Sequence, residues 1–354
     1  MNYSIVSLRK NIFFMLLIGF ALCFCFGINN SIAKDVKLVL ADQSGKNYMV
    51  REMGTFFMDK VEKYSNGKIK FDRRVGGVLG DYMVLAEQCS MGAIDVVMIW
   101  PPSDLDSRFD LGWVGWLTAN IEEAEIFLRS DSDMFNLMSE IFADNNMKLL
   151  MIGADGISGL HIRKGTGLLD KLKHFPADAK GMKARIPSSK IYEKRARNLG
   201  FSPVAIPYSE VYTGLQLGTF DVRFCTQPAE MMAFGDVLDG WIGINELCEP
   251  FYIVVSEKAW KKLSSKDKKI MQDSADATAA ECWKYLPEYT RKWHKKAIDK
   301  FGVRIVELPV SEIKSLQNIA RKKEWPLAEK IFGKPLMERV YKAAKKAEEE
   351  AKLK

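Results

Sequence analysis

The chain has 354 residues, with 52 Lys and Arg against 45 Asp and Glu and a formal net charge of +7. Such a length carries two domains of ordinary size. The charges are mixed along the chain, which excludes a nucleic-acid footprint and makes the balance a matter of solubility.

Residues 1–33 read as a segment apart. Arg9 and Lys10 are followed by an almost wholly apolar run over 12–28, and Ser31-Ile32-Ala33 then places small residues where a signal peptidase reads. This is the pattern of a secretory signal, so cleavage near Ala33 and a periplasmic location are expected. Bulky Leu22 and Phe24 precede Cys23 and Cys25, which argues against a lipoprotein site. Setting aside Arg9 and Lys10 leaves 50 basic against 45 acidic residues in a mature chain of 34–354. Cys89, Cys225, Cys248 and Cys282 remain, with no CxxC pair and no metal-finger spacing. An oxidising compartment permits a disulfide, but so few cysteines in so long a chain read better as buried small hydrophobes.

Beyond the signal, strand-like and helix-like segments alternate. Residues 36–41 form an apolar strand, and 48–64 place Met49, Met53, Phe56, Phe57 and Val61 at helical spacings. A strand over 68–72 follows the Asn66-Gly67 turn, Asp81 caps a helix to about 91, and 95–100 is a short buried strand ended by Pro101-Pro102. This order predicts an α/β fold with a parallel-rich sheet covered by helices. A helix over 121–145 and a strand over 147–153 come next, and the glycine-rich stretch 153–167 marks a crossing between lobes. Strands at 182–186, 202–206 and 221–225 alternate with helices capped by Ser188 and Ser209. The run 251–255 crosses back to the first lobe. Residues 264–301 are helical in pattern, with Pro287 expected to kink or divide the helix, and such a helix is long enough to brace both lobes. The tail from 339 is an Ala-Lys-Glu helix with mixed charge, read as a solvated face.

Enzymatic signatures are scarce. His161, His174 and His294 show no HExxH spacing, Gly156-Ile157-Ser158-Gly159-Leu160 misses the GxSxG elbow by one position, and Gly76-Gly77-Val78-Leu79-Gly80 lacks GxGxxG spacing. No metal or cofactor site emerges.

The informative region is 180–227. Lys180-Gly181-Met182-Lys183-Ala184-Arg185-Ile186-Pro187 is followed by Pro203-Val204-Ala205-Ile206-Pro207-Tyr208-Ser209-Glu210-Val211-Tyr212, then by Gly214-Leu215-Gln216-Leu217-Gly218-Thr219-Phe220-Asp221. With Gly76 to Asp81 and Gly92-Ala93-Ile94-Asp95 upstream, this ordered series resembles the solute-binding proteins of tripartite ATP-independent periplasmic (TRAP) transporters over 36–277. The resemblance implies a two-lobed periplasmic binding protein fold with crossing strands and a long hinge-spanning helix. The lobes are expected at 34–157, with 251–290 returning to it, and at 158–250, with 291–335 returning to it; 336–354 form the charged C-terminal helix. It further implies a receptor that captures a small carboxylate and hands it to membrane permease subunits, without nucleic acid, as a monomer and not as an enzyme.

Arg185 matches the arginine that clamps the solute carboxylate in the family, a role suited to a planar, permanently charged fork of donors. After Asp221 the family runs Gly-Gln-Glu-Asn, whereas this chain reads Val222-Arg223-Phe224-Cys225. Cys225 then stands at the position of a ligand-contacting asparagine. Arg223, two residues earlier on the same strand face, either supplies part of the lost contact or pairs with a structural carboxylate. Ser158 is the nearest counterpart of a second ligand arginine found in some members. Trp113-Val114-Gly115-Trp116-Leu117 replaces the usual Pro-Phe-Leu-Phe. Trp100 and, more weakly, Asp42 follow strands at the edge where open α/β sheets bind ligands and are expected to reach the solute. Two other readings stay open: a ligand-sensing module for a signalling receptor, and an exported enzyme, which would need a nucleophile with a positioned base.

Overall fold

The computed structural model describes residues 35–353; the signal segment and its cleavage near Ala33 lie outside them. In chain order the elements are β1 (Val36–Asp42), α1 (Met49–Tyr64), β2 (Ile69–Val75), α2 (Tyr82–Ser90), β3 (Val96–Ile99), α3 (Ile121–Leu128), α4 (Asp133–Asp144), β4 (Met147–Ile157) and β5 (Leu160–Arg163). They continue as β6 (Lys183–Ile186), α5 (Lys190–Asn198), β7 (Ser202–Ala205), α6 (Val211–Leu217), β8 (Val222–Arg223), α7 (Met231–Phe234), β9 (Leu238–Gly243) and β10 (Cys248–Ser256). The last are α8 (Glu257–Lys262), α9 (Ser265–Phe301), β11 (Arg304–Glu307), α10 (Val310–Lys323), α11 (Trp325–Phe332) and α12 (Lys334–Ala351).

The strands make two sheets, one ordered β2-β1-β3-β10-β4 and the other β11-β9-β5-β8-β6-β7. Both are mixed. β1 pairs parallel with β3, but β10 runs antiparallel to both β3 and β4. In the second sheet β5 runs antiparallel to β8 and β9, while β6 lies parallel to β7 and β8. The antiparallel members come from the two crossings: β4 leaves the first sheet for β5, and β9 leaves the second for β10. Every residue of β10 is buried, as a strand covered on both faces requires.

Local chemistry sets the element ends. Asp81 caps α2 by accepting from the backbone N–H groups of Met83 and Val84. Ser189, one residue beyond the expected Ser188, caps α5 by accepting from Tyr192. The single helix expected over 121–145 is two helices, because Arg129 turns out of helical geometry and Ser132 starts α4 with its own cap. β8 is only two residues long because Cys225 has φ of +58°, a left-handed conformation that ends a strand.

Pro287 lies inside α9, which runs unbroken for 37 residues, about 55 Å at the usual helical rise. Its first half packs on β4, with the Cys282 thiol on the carbonyl of Ala154. Tyr289 accepts from the backbone N–H of Met49 on α1 and donates to the carbonyl of Asn47. Farther along, Ala297 joins Phe220, Phe234 and Trp241 in the core of the second lobe. One helix therefore spans both sheets. The tail differs from the solvated face expected of it: α12 buries Met337, Val340, Ala344 and Ala347 and packs on α3 and α4. Met337, Val340 and the alanines at helical spacing build that apolar stripe, which charge composition alone hides.

Candidate ligand-binding site

The two sheets present the ends of β1, β3, β6, β7 and β8 to a common cleft. Register makes Arg185 of β6 the direct partner of Arg223 on β8, so both guanidinium groups leave the sheet on one face. Pro187 ends β6, and Tyr208 follows β7 at the same edge. From the first sheet come Gln43, just past β1, and Trp100, just past β3. Tyr82, Trp113, Cys225, Gln227 and Glu230 complete the lining. This is the carboxyl-end crevice where open α/β sheets take ligands. The space between these residues is about 370 Å³, of which the centre of a water-sized sphere reaches only about 30 Å³, room for a water or two.

The two arginines are in different states. Arg223, 1% exposed, donates from Nη2 to Oε1 of Glu230 at 2.8 Å and to the carbonyl of Cys225 at 2.9 Å. Its guanidinium also lies over the Tyr208 and Phe234 rings, 5.6 and 5.2 Å from their centroids. Glu230 is held in turn, its Oε2 accepting from the backbone N–H of Gln227 at 3.0 Å. Arg185, 3% exposed, has no carboxylate partner among the described residues, and its one hydrogen bond there runs from Nε to the carbonyl of Ile206 at 2.9 Å. Burial pushes its pKa below the ordinary arginine value, and the charge of Arg223 adds to that. Guanidinium stays protonated regardless, so Arg185 is a buried, uncompensated cation with its terminal nitrogens left for a partner from the cavity.

Aromatic side chains form much of the remaining wall, and several of their polar atoms are engaged inside the protein. Trp100 donates from Nε1 to Asp155 Oδ2 at 2.7 Å, and Trp113 from Nε1 to Glu249 Oε1 at 2.7 Å. The hydroxyls of Tyr48 and Tyr208 meet across the cleft at 2.6 Å. Of the residues proposed from sequence, Arg185, Arg223, Cys225 and Trp100 line the cavity together. Ser158 and Asp42 do not. Ser158 donates from Oγ to Glu246 Oε1 at 2.8 Å in the crossing between β4 and β5. Asp42 is bound to Arg51 and to the backbone and hydroxyl of Ser44. Tyr208, which in the sequence stood only as part of a family motif, lines the cavity. The clue to it is its place directly after Pro207, at the carboxyl end of β7. Glu230 was also missed, though Gln227-Pro228-Ala229-Glu230 spells a reciprocal cap.

Two buried carboxyls bonded to the tryptophans of the wall, Glu249 and Asp155, are shifted upward. Burial pushes Glu249 up to about 7, the hydrogen bond from Trp113 opposing and the charge of Glu246 reinforcing it. Burial likewise raises Asp155 well above the carboxylate range. Unfolded glutamate releases its proton near 4.5, so between that value and about 7 folding takes up a proton at Glu249. Its contribution to stability is full below the lower value and is lost as pH rises through the upper one, on the order of 3 kcal/mol for this one group. Melting temperature is therefore expected to fall between pH 5 and 8, and Glu249→Gln to flatten that slope. An identical slope in the variant would remove Glu249 as its source.

Among the described residues no group of three or more His, Cys, Asp or Glu is placed to hold a metal, and no helix is long and apolar enough to cross a membrane. All four described cysteines are free thiols.

Two mixed α/β sheets, crossed twice by the chain, braced by one helix and closing on a buried guanidinium, define a bilobal binding protein. Residues 41–325 match the profile of bacterial extracellular solute-binding protein family 7, and the chain belongs to that family. Solute-binding proteins stand among its relatives. The sialic acid-binding periplasmic protein of Vibrio cholerae is 24% identical over 222 residues, 60% of this chain, and the chain spans 65% of that protein's length. The C4-dicarboxylate-binding periplasmic protein of Rhodobacter capsulatus is 31% identical over 158 residues, 39% of this chain and 47% of that one. Among solved structures, a TRAP periplasmic solute-binding protein of Desulfovibrio desulfuricans with bound sn-glycerol 3-phosphate superposes with a TM-score of 0.79 at 18% identity, covering 88% of this chain and 97% of that one. One from Anaerococcus prevotii with bound glucuronate gives 0.76 at 17% identity, covering 89% and 99%. These likenesses carry the fold.

Proposed function

We propose that the protein is the extracytoplasmic receptor of a TRAP-type transporter, that it captures a small organic acid by closing its lobes, and that it delivers the acid to membrane permease subunits. The observation that carries this reading is Arg185. A buried guanidinium without a counter-charge destabilises the folded protein unless an anion meets it, and its free nitrogens face the cavity. Cys225, Trp100 and Arg223 would form the walls around the bound acid, with Arg223 fixed by Glu230 and contributing field more than direct contact. Closure is a population shift: a ligand that touches both lobes only in the closed state favours that state by its differential affinity. A receptor of this kind needs no acid–base machinery, and the neutral, buried His161 supplies none to the cavity. The relatives' names support export to the periplasm and a membrane partner.

The test is a calorimetric and thermal-shift screen of protein stripped of ligand by unfolding and refolding, against carboxylates, amino acids and neutral sugars. At about 100 times Kd a ligand adds roughly 2.7 kcal/mol, which raises the melting temperature by a few degrees for a chain of this size. Stabilisation by an acid is the expected result. Stabilisation by neutral sugars alone would overturn the carboxylate reading.

A further inference from the structure

We infer that the cavity selects monoanionic carboxylates with a flat, largely apolar body over dicarboxylates, phosphate esters and polyhydroxylated sugar acids. The inference rests on the receptor function proposed above and narrows it to one chemical class. Two independent features carry it, a charge count and the composition of the wall.

Two guanidinium groups face the cavity, but Glu230 sits 2.8 Å from Arg223 and belongs to the same lining. The pair is almost wholly buried, with side-chain exposure of 1% for each partner. One positive charge, that of Arg185, is thus left to balance. A single carboxylate neutralises it. The second charge of a dicarboxylate, or of a phosphate ester at neutral pH, would enter a low-dielectric space beside Glu230 with no cation to receive it. Asp155 and Glu249 behind the wall supply no positive field either.

The wall argues against polyols. The indole N–H groups of Trp100 and Trp113 are bound to Asp155 and Glu249, and the Tyr208 hydroxyl is bound to Tyr48. Gln43 already accepts from the backbone N–H of Tyr82. What remains is the NH2 of Gln43, the hydroxyl of Tyr82 and the amide of Gln227, enough for two or three polar groups of a ligand. A sugar acid brings more hydroxyls than that, and each one desolvated without a partner weakens binding. Tyr82, Trp100, Trp113, Tyr208 and Pro187 instead offer ring faces and edges.

The experiment is titration calorimetry on the stripped mature protein with phenylacetate, benzoate, succinate, glycerol 3-phosphate and glucuronate as probes. The expected result is that the better aromatic acid binds roughly tenfold or more tightly than each of the other three classes. Equal or tighter binding of succinate, glycerol 3-phosphate or glucuronate overturns the inference. If that binding is lost in Arg185→Ala, the receptor reading survives without it. Failure of every acid in this set and in the wider screen removes both. The charge count has its own check in Glu230→Gln, an isosteric change whose fold is verified by circular dichroism. Freeing the charge of Arg223 is expected to narrow the phenylacetate-to-succinate affinity ratio by roughly tenfold. An unchanged ratio would overturn the count.

Discussion

Arg185→Ala is expected to lose about 2–5 kcal/mol of carboxylate affinity, the range measured when one partner of a desolvated, hydrogen-bonded charge pair is truncated. Arg185→Lys should lose most of it as well, since an ammonium lacks the two-pronged geometry that meets a carboxylate. The more discriminating expectation concerns stability. Removing a buried cation that has no counter-charge relieves the folded state, so Arg185→Met should unfold at an unchanged or higher temperature without ligand, by up to about 2 kcal/mol. Arg223 is its register partner on the adjacent strand and is almost equally buried, yet the opposite sign is expected there. Arg223→Met would strand Glu230 in the core and lower stability by about 3–5 kcal/mol. Urea denaturation of the two Met variants, paired with calorimetry on the ligand found by screening, checks both halves. A stability loss of similar size in both variants would mean that Arg185 is structural, and the anchor assignment would fall.

Sequence patterns reached much of the fold because many of its strands and helices announce themselves locally. The Pro101-Pro102 stop after β3, the Asp81 cap and the apolar run of β10 need no tertiary knowledge. The pairing sense of β10 is a different matter. An apolar strand looks the same whether it runs parallel or antiparallel, and only the return of the chain from the second sheet decides it. Arg185 was legible through its motif. The state of Arg223 was not, because whether an arginine is free or neutralised depends on Glu230, which reaches it through a turn that Cys225 makes with positive φ. Ser158 illustrates the converse. Its position in the first crossing was readable, but not that Glu246 from the second crossing would lie 2.8 Å away and claim its hydroxyl. Contacts between segments distant in sequence leave no local trace when each partner is a single polar residue.

That meeting of the crossings leads to the second large effect, at Arg195. Its guanidinium is completely buried and lies between two carboxylates, 2.8 Å from Glu246 and 2.8 Å from Glu324. It also donates to the carbonyl of Trp113 and lies 4.5 Å from the centroid of the Tyr192 ring. Glu324 further accepts from the backbone N–H of Gly115 at 2.8 Å. Residue 115 has to be glycine for this approach, since a Cβ there would stand 2.7 Å from Nη2 of Arg195. One side chain of α5 thus ties the second lobe to the second crossing, to the carbonyl of Trp113 and to the end of α10, and Glu246 carries the link on to Ser158 in the first crossing. Arg195→Met is expected to cost about 3–5 kcal/mol, because two carboxylates remain buried without their cation. The triple variant Arg195→Met, Glu246→Gln, Glu324→Gln should recover most of that loss, since no charge is then left unpaired. It should not recover the geometry. With the tether between α5 and the crossings weakened, the ligand is expected to shift the lobes less fully to the closed state and to bind more weakly, although Arg185 is untouched. Small-angle scattering with and without ligand, together with urea denaturation, separates the two effects. A triple variant as unstable as Arg195→Met would show that packing, not charge, sets the loss, and one with wild-type closure and affinity would show that the network supports the fold without governing the lobes.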